Sequence, residues 1–229
     1  MRVGEALLDL LFPPKCPFCQ RLLHDPRAPL CPNCQASLPW LTGRAGERRV
    51  DFTQGCWSPL AYQAQVREAV QRYKFAPAPA YGRPFGLLMA QCARDQGVEA
   101  ELVTWAPLSK KRRRKRGFDQ GELLARTVGE CLALPVLPLL EKSRHTVPQS
   151  SLPDGAARRA NALGAYSLLP GGRIEGGRVL LVDDVVTSGA TLSECARLLC
   201  QGGAKQVLCL TLAQAGEGGD KLENNRNNG

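Results

Sequence analysis

The order of apolar and polar positions along the chain predicts alternating strands and helices. Val66, Ala69, Val70 and Tyr73 recur at i, i+3, i+4 and i+7, the spacing of one helical face, and predict an amphipathic helix over 64–74. Phe85 to Ala93 reads as a second helix, stopped near Gly97. Leu123, Leu124, Thr127, Val128, Cys131 and Leu132 mark a third. A fourth, over 190–201, turns Leu192, Ala196 and Leu199 inward and is closed by Gly202-Gly203. Strand-like runs lie between them at 55–62, 102–107, 178–185 and 206–213. The last two are apolar at almost every position, as a strand must be when both of its faces are covered. The expected fold class is α/β, a parallel sheet flanked by helices.

Before this domain the pattern changes. Residues 1–42 are rich in Pro and Cys, and Val3, Leu7, Leu10 and Leu11 fall on one side of a short N-terminal helix. A polar, basic link, TGRAGERRVD, joins this stretch to the main domain, expected over 50–215. Residues 216–229 carry almost no apolar side chains and are expected to be disordered. No apolar run approaches the ~18–20 residues that span a bilayer. Glu5 and Asp9 break the N-terminal apolar stretch, unlike a signal peptide, so a cytoplasmic protein without membrane insertion is expected.

Composition narrows the class a little further. The 229 residues are 44% hydrophobic and 22% charged, which excludes collagen-like, coiled-coil and wholly disordered chains. Charge is more informative. The net charge is +9, and residues 110–116, KKRRRKR, hold seven positive charges, so the rest of the chain carries +2. The positive field is therefore local, and its target is expected to be a polyanion. Single-stranded DNA is one candidate, with Phe118 and Tyr73 as candidate stacking residues for its bases.

Four of the ten cysteines form two close pairs, Cys16-Pro-Phe-Cys19 and Cys31-Pro-Asn-Cys34. Two C-x2-C loops bring four thiolates onto one ion, the closed tetrahedral arrangement of structural zinc. A disulfide pairing or a rubredoxin-type iron site are the alternatives. His24, inside the intervening loop, reads as a surface residue rather than a ligand. The remaining cysteines, Cys56, Cys92, Cys131, Cys195, Cys200 and Cys209, stand in apolar contexts and read as buried thiols.

The stretch Val179-Leu-Leu-Val-Asp183-Asp184-Val-Val-Thr187-Ser188-Gly189-Ala190-Thr191 carries the most chemistry. A buried strand delivers two carboxylates to its carboxyl end, where ligands bind in open α/β sheets. A Thr/Ser/Gly loop then opens a helix, whose free N–H groups and positive dipole end suit a phosphate. A phosphate beside two acceptors of hydroxyl hydrogen bonds points to a phosphorylated sugar. The loop is neither GxxxxGK nor GxGxxG. His145 is the only histidine besides His24, so a Ser-His-Asp triad has little material, and no HExxH occurs.

The run VLLVDDVVTSGAT resembles the signature of type I phosphoribosyltransferases, which bind 5-phosphoribosyl-1-pyrophosphate (PRPP). The resemblance implies that Asp183 and Asp184 contact the ribose hydroxyls and that Thr187, Ser188, Gly189, Ala190 and Thr191 hold the 5′-phosphate. It also implies magnesium bridging pyrophosphate and ribose oxygens. Those purine-salvage enzymes usually carry an acid where this chain has Thr187, which disfavours purine salvage. The segment 105–120 then reads as a cationic loop that closes over pyrophosphate, with Ser109 and Lys110 at its turn and Arg112 and Arg116 as a forked clamp.

A longer pattern narrows the family. PLS-x-x-R-x-x-x-RGF-[ND]-Q-x-x-LLA is followed by Arg144-x-Thr146-x-x-Gln149, by Arg158-x-x-Asn161-x-x-x-Ala165-Tyr166 and by the Asp-Asp loop. Over about residues 3–213 the chain resembles the competence protein F (ComF) family. That resemblance implies a four-cysteine zinc module ahead of a phosphoribosyltransferase-like domain, a part in natural transformation and single-stranded DNA uptake, and a helicase-like partner. Asp119 stands where the family usually has Asn, and an ionised Asp accepts hydrogen bonds but cannot donate one.

Overall fold

The computed structural model describes residues 13–75, 79–143, 155–171, 174 and 176–216. The expected N-terminal helix, the Arg144–Gln149 motif with His145, and the tail beyond 216 lie outside the described residues.

The main sheet runs in the order β1 (Glu47–Arg48), β2 (Cys56–Trp57), β8 (Gln206–Gln214), β7 (Arg178–Val186), β4 (Leu102–Trp105), and β3 (Leu60–Ala61) also pairs with β8. All these pairings are parallel except β1 with β2. The predicted strand over 55–62 is broken at Ser58-Pro59, because Pro59 has no N–H for the ladder. A separate two-stranded antiparallel ribbon joins β5 (Leu140–Glu141) to β6 (Ser167–Leu168).

The period-two alternation of β7 and β8 feeds two cores. Leu180, Val182, Leu208, Leu210 and Leu212 face one side, under α2 (Ala64–Phe75), α3 (Gly82–Asp95) and α5 (Gln120–Leu132). Val179, Leu181, Val207 and Cys209 face the other, under α7 (Ala190–Gln201), against which α6 (Gly155–Ala162) packs. Val66, Ala69, Val70 and Tyr73 are all fully buried, as their spacing requires.

Three sequence expectations change. Residues 110–116 are not a loop but α4 (Lys110–Arg116). Arg and Lys are good helix formers. Ser109 supplies an N-cap that accepts the Arg112 N–H, and Gly117, at φ +80°, closes the far end. Tyr73 is wholly buried, its Oη donating to the Gln120 carbonyl at 3.0 Å, and Phe118 packs 5.9 Å from it, so Tyr73 presents no face for a base. Among the scattered cysteines Cys200 is exposed and Cys131 half-buried, because both lie near the outer ends of helices α7 and α5.

The cysteine module sits on the helical face. Its second pair opens α1 (Pro32–Ser37), with Cys31 at the N-cap. Phe18 packs 5.5 Å from Phe85, and Arg72 of α2 donates to the Phe18 carbonyl at 2.6 Å and the Pro17 carbonyl at 3.1 Å. The module thus shares one core with the main domain.

Candidate functional site

Two places assemble chemistry. The first is the cysteine cluster. The Sγ atoms of Cys16, Cys19, Cys31 and Cys34 all lie within 4.8 Å of one another. A tetrahedron with Zn–S bonds near 2.3 Å needs sulfurs about 3.8 Å apart. Gln20, at φ +65°, turns the first knuckle and donates its N–H to the Cys16 carbonyl. Burial opposes ionisation of Cys31, yet the Cys34 backbone N–H and the neighbouring thiols bring its pKa down, whereas burial and those same neighbours hold that of Cys34 up. The four thiols are free, and His24 is exposed, away from the ligand set. Four sulfurs fill a tetrahedral ion, which makes this a structural site.

The second place lies where β7 ends. Asp183 and Asp184 are neighbours in one strand, so their side chains leave toward opposite faces. Asp184 points to the α2 side, where Lys74 Nζ meets its Oδ1 at 2.7 Å. Asp183 belongs to the side of Tyr166, Lys142 and Cys195, all of which feel its charge. Its Oδ1 accepts the Asp184 N–H at 2.8 Å. Burial first, and the like charge of Asp184 second, push the Asp183 carboxyl up to about 7, with Lys74 pulling it back. Burial works against the charge on Lys74, but Asp184 outweighs it and raises that pKa.

Thr187, Ser188 and Gly189 then turn the chain into α7. Gly189 takes φ +75° as N-cap, and a Cβ there would meet Val50 Cγ2 at 3.3 Å. No side chain caps this helix. The first backbone N–H to be used is that of Ser193, on the Gly189 carbonyl. Among the described residues the amides of 187–192 therefore remain available. Behind the loop, Arg48 donates to the carbonyls of Val186, Thr187 and Ala215. In a trans peptide the C=O and the following N–H point in opposite directions. Holding the carbonyls of 186 and 187 on one side aims the N–H groups of Thr187 and Ser188 to the other. Ala190 is buried at the first helical turn, and Thr191 lies against the Tyr166 hydroxyl.

α4 flanks this strand end. Of its seven cations only Arg112 and Arg116 are partly buried, four residues apart on one face. Arg112 lowers the pKa of Lys142 and so lies on the Asp183 side, whereas Arg116 feels the charge of Asp184. Arg116 also donates to Gln120 Oε1 at 2.8 Å. Ser109 is buried at the cap, and Lys110 is exposed. An open pocket of about 260 Å³ is lined by Ser109, Lys110, Lys111, Glu141, Lys142 and Ser143, and the two acids stand outside that lining. Asp119 accepts N–H bonds from Leu108 at 2.8 Å, Gly121 at 3.0 Å and Glu122 at 3.4 Å. Both carboxylate oxygens accept there, Oδ2 from Leu108 and Oδ1 from Gly121 and Glu122, a set that an Asn with its single acceptor oxygen would fill only in part, and Asp119 thereby ties residues 106–109 to the start of α5.

Sequence reasoning did not single out Arg48, Lys74 or Lys142. Lys142 Nζ lies 2.9 Å from Tyr166 Oη, and burial, then Arg112, lowers its pKa to about 8. The one local signal was Tyr166, already part of the Arg158–Tyr166 motif.

Comparisons with known proteins match both parts of the chain. The phosphoribosyl transferase domain family matches residues 123–227, and the double zinc ribbon domain family matches residues 7–49. The chain is 30% identical over 214 residues to the DNA utilization protein YhgH of Salmonella typhimurium, covering 86% of this chain and 90% of that one. This protein belongs to the competence protein F family. Competence protein F of Haemophilus influenzae is 29% identical over 224 residues, 88% of this chain and 97% of its own. Competence protein ComFC of Streptococcus pneumoniae is 27% identical over 216 residues, 93% of this chain and 83% of its own. The competence protein F fold here is thus a parallel phosphoribosyltransferase-type sheet with a four-cysteine zinc module. No helix among its described residues is long and apolar enough to cross a membrane.

Proposed function

We propose that this protein binds PRPP at the β7–α7 junction and uses the site in handling single-stranded DNA during its uptake. The observation that carries the first half is the row of unclaimed amides at 187–192, braced from behind by Arg48 and uncapped by any side chain. A dianionic 5′-phosphate satisfies those donors and meets the helix dipole. The hydroxyls of Thr187, Ser188 and Thr191 add donors. Asp183 and Asp184, on either side of the strand end, accept hydrogen bonds from the two ribose hydroxyls. Asp184 does so with the oxygen that Lys74 leaves, Oδ2.

Arg112 and Arg116, half-buried on one face of α4, meet the pyrophosphate, with Ser109 and Lys110 at its turn. If the anomeric C–O bond breaks, its electron pair leaves with the pyrophosphate, and the growing negative charge falls toward these two guanidinium groups. Magnesium accompanying PRPP would supply further neutralisation of that charge. A nitrogen nucleophile forms the new bond to the anomeric carbon as the bond to pyrophosphate breaks.

The names of the relatives, competence protein F and DNA utilization protein, support the DNA half of the reading. A cytoplasmic location and a helicase-like partner belong to the same proposal. Calorimetry with PRPP and magnesium tests the site. Binding that Asp184→Ala or Asp183→Ala weakens at least tenfold is expected, and no heat at millimolar PRPP overturns the assignment. Pyrophosphate release measured over a panel of bases, amines and oligonucleotides tests turnover.

A further inference from the structure

Exposed large apolar side chains are few among the described residues, and Phe75 is the most exposed of them at 76%. It ends α2, one residue beyond Lys74, whose amine holds Asp184. The ring is not bare on every side, since the Arg116 guanidinium carbon lies 5.2 Å from its centroid. A cation over one part of an aromatic ring fixes its orientation and leaves the rest of the ring to a flat partner.

The surroundings state the charge of that partner. Arg116 is the last residue of α4, and Lys110, Lys111, Arg113, Arg114 and Lys115 of the same helix face solvent. At 1.5 Å per residue this makes a cationic ridge ~10 Å long that ends at the ring. A ligand that fills both features has a flat face at one point and a run of negative charge leading away from it. A single nucleic acid strand has that form, whereas a duplex keeps its base faces stacked inside.

We propose that Phe75 is a stacking platform for one unpaired nucleobase, with the exposed cations of α4 following the phosphates of the same strand. This rests on the DNA-handling half of the reading above and replaces the aromatic pair named from sequence. The stacked base stands at the rim of the acid pair, because Arg116 touches the platform and feels Asp184 at once.

The test uses the full, zinc-loaded chain and fluorescence anisotropy with an oligothymidine strand and with a duplex of the same length. Phe75→Ala is expected to weaken strand binding roughly tenfold and to leave duplex binding and the slope against salt unchanged, since no charge is lost. Phe75→Trp is expected to keep the affinity, and its fluorescence is expected to be quenched by the strand beyond any change in the three native tryptophans. Unfolding temperature serves as the control, because an exposed ring contributes little to the core. Wild-type strand binding that Phe75→Ala leaves intact overturns the platform while the DNA reading stands. Absence of any salt-dependent strand binding by the wild-type protein overturns the DNA reading itself.

Discussion

Two helices begin at the carboxyl edge of the same sheet and hold their capacity for anions in opposite ways. α7 carries no cation in its first turn; it has a left-handed glycine, an uncapped row of amides and an arginine 139 residues away that fixes their direction. α4 is cationic at all seven positions, yet its own first turn is closed by Ser109 and most of its charge is solvated. The first arrangement is positional, good for one phosphate at one place. The second is diffuse and tolerates a moving polyanion. Local density of charge and precision of a site are therefore separate properties, and here they lie side by side.

The comparison breaks first at Gly189. Gly189→Val forces a β-branched residue into φ +75° against Val50, at a cost of about 2–3 kcal/mol. PRPP binding is expected to fall at least ~100-fold in calorimetry, while oligonucleotide binding by α4 persists. Arg48→Met comes next. It leaves the carbonyls of Thr187 and Ala215 without their donor, while that of Val186 keeps the Ala215 N–H, and an unsatisfied acceptor costs about 1–3 kcal/mol. Roughly 30-fold weaker PRPP binding is expected, again with the DNA signal intact.

The third test is pH. Asp183 titrates near 7 in the folded chain, raised by burial, so it takes up protons that the unfolded chain does not hold between about 4 and 7. Its contribution to stability therefore declines as pH rises through that window. Ligand binding goes the other way, because the ionised carboxylate is the better acceptor. PRPP affinity is expected to rise about tenfold from pH 6 to pH 8, and Asp183→Asn should remove that rise relative to wild type. The smallest effect on stability is expected at α4. Replacing Lys111, Arg113, Arg114 and Lys115 with Gln should change unfolding free energy by no more than about 0.5 kcal/mol. The same change should flatten the dependence of strand binding on salt.

Local pattern carried the helices and the parallel strands, because apolar spacing at 3.6 and 2 is a property of neighbouring residues. The helix over 190–201 and the strand from 178 needed nothing more. It failed where the answer depended on ends or on distance. Seven like charges read as a loop until Ser109 and Gly117 were seen to cap them. The acids and the phosphate loop were legible as one contiguous motif. Their supports were not, since Arg48, Lys74 and Lys142 come from three other segments and meet β7 or its neighbours only after the chain folds.

One helix joins the cysteine module to the acid pair. α2 grips the first cysteine knuckle through Arg72 and, two residues on, restrains Asp184 through Lys74. Stripping the ion with a chelator should thus be read at a distance: as the knuckle slackens, the lever shifts, and the affinity for PRPP drops before the sheet itself melts.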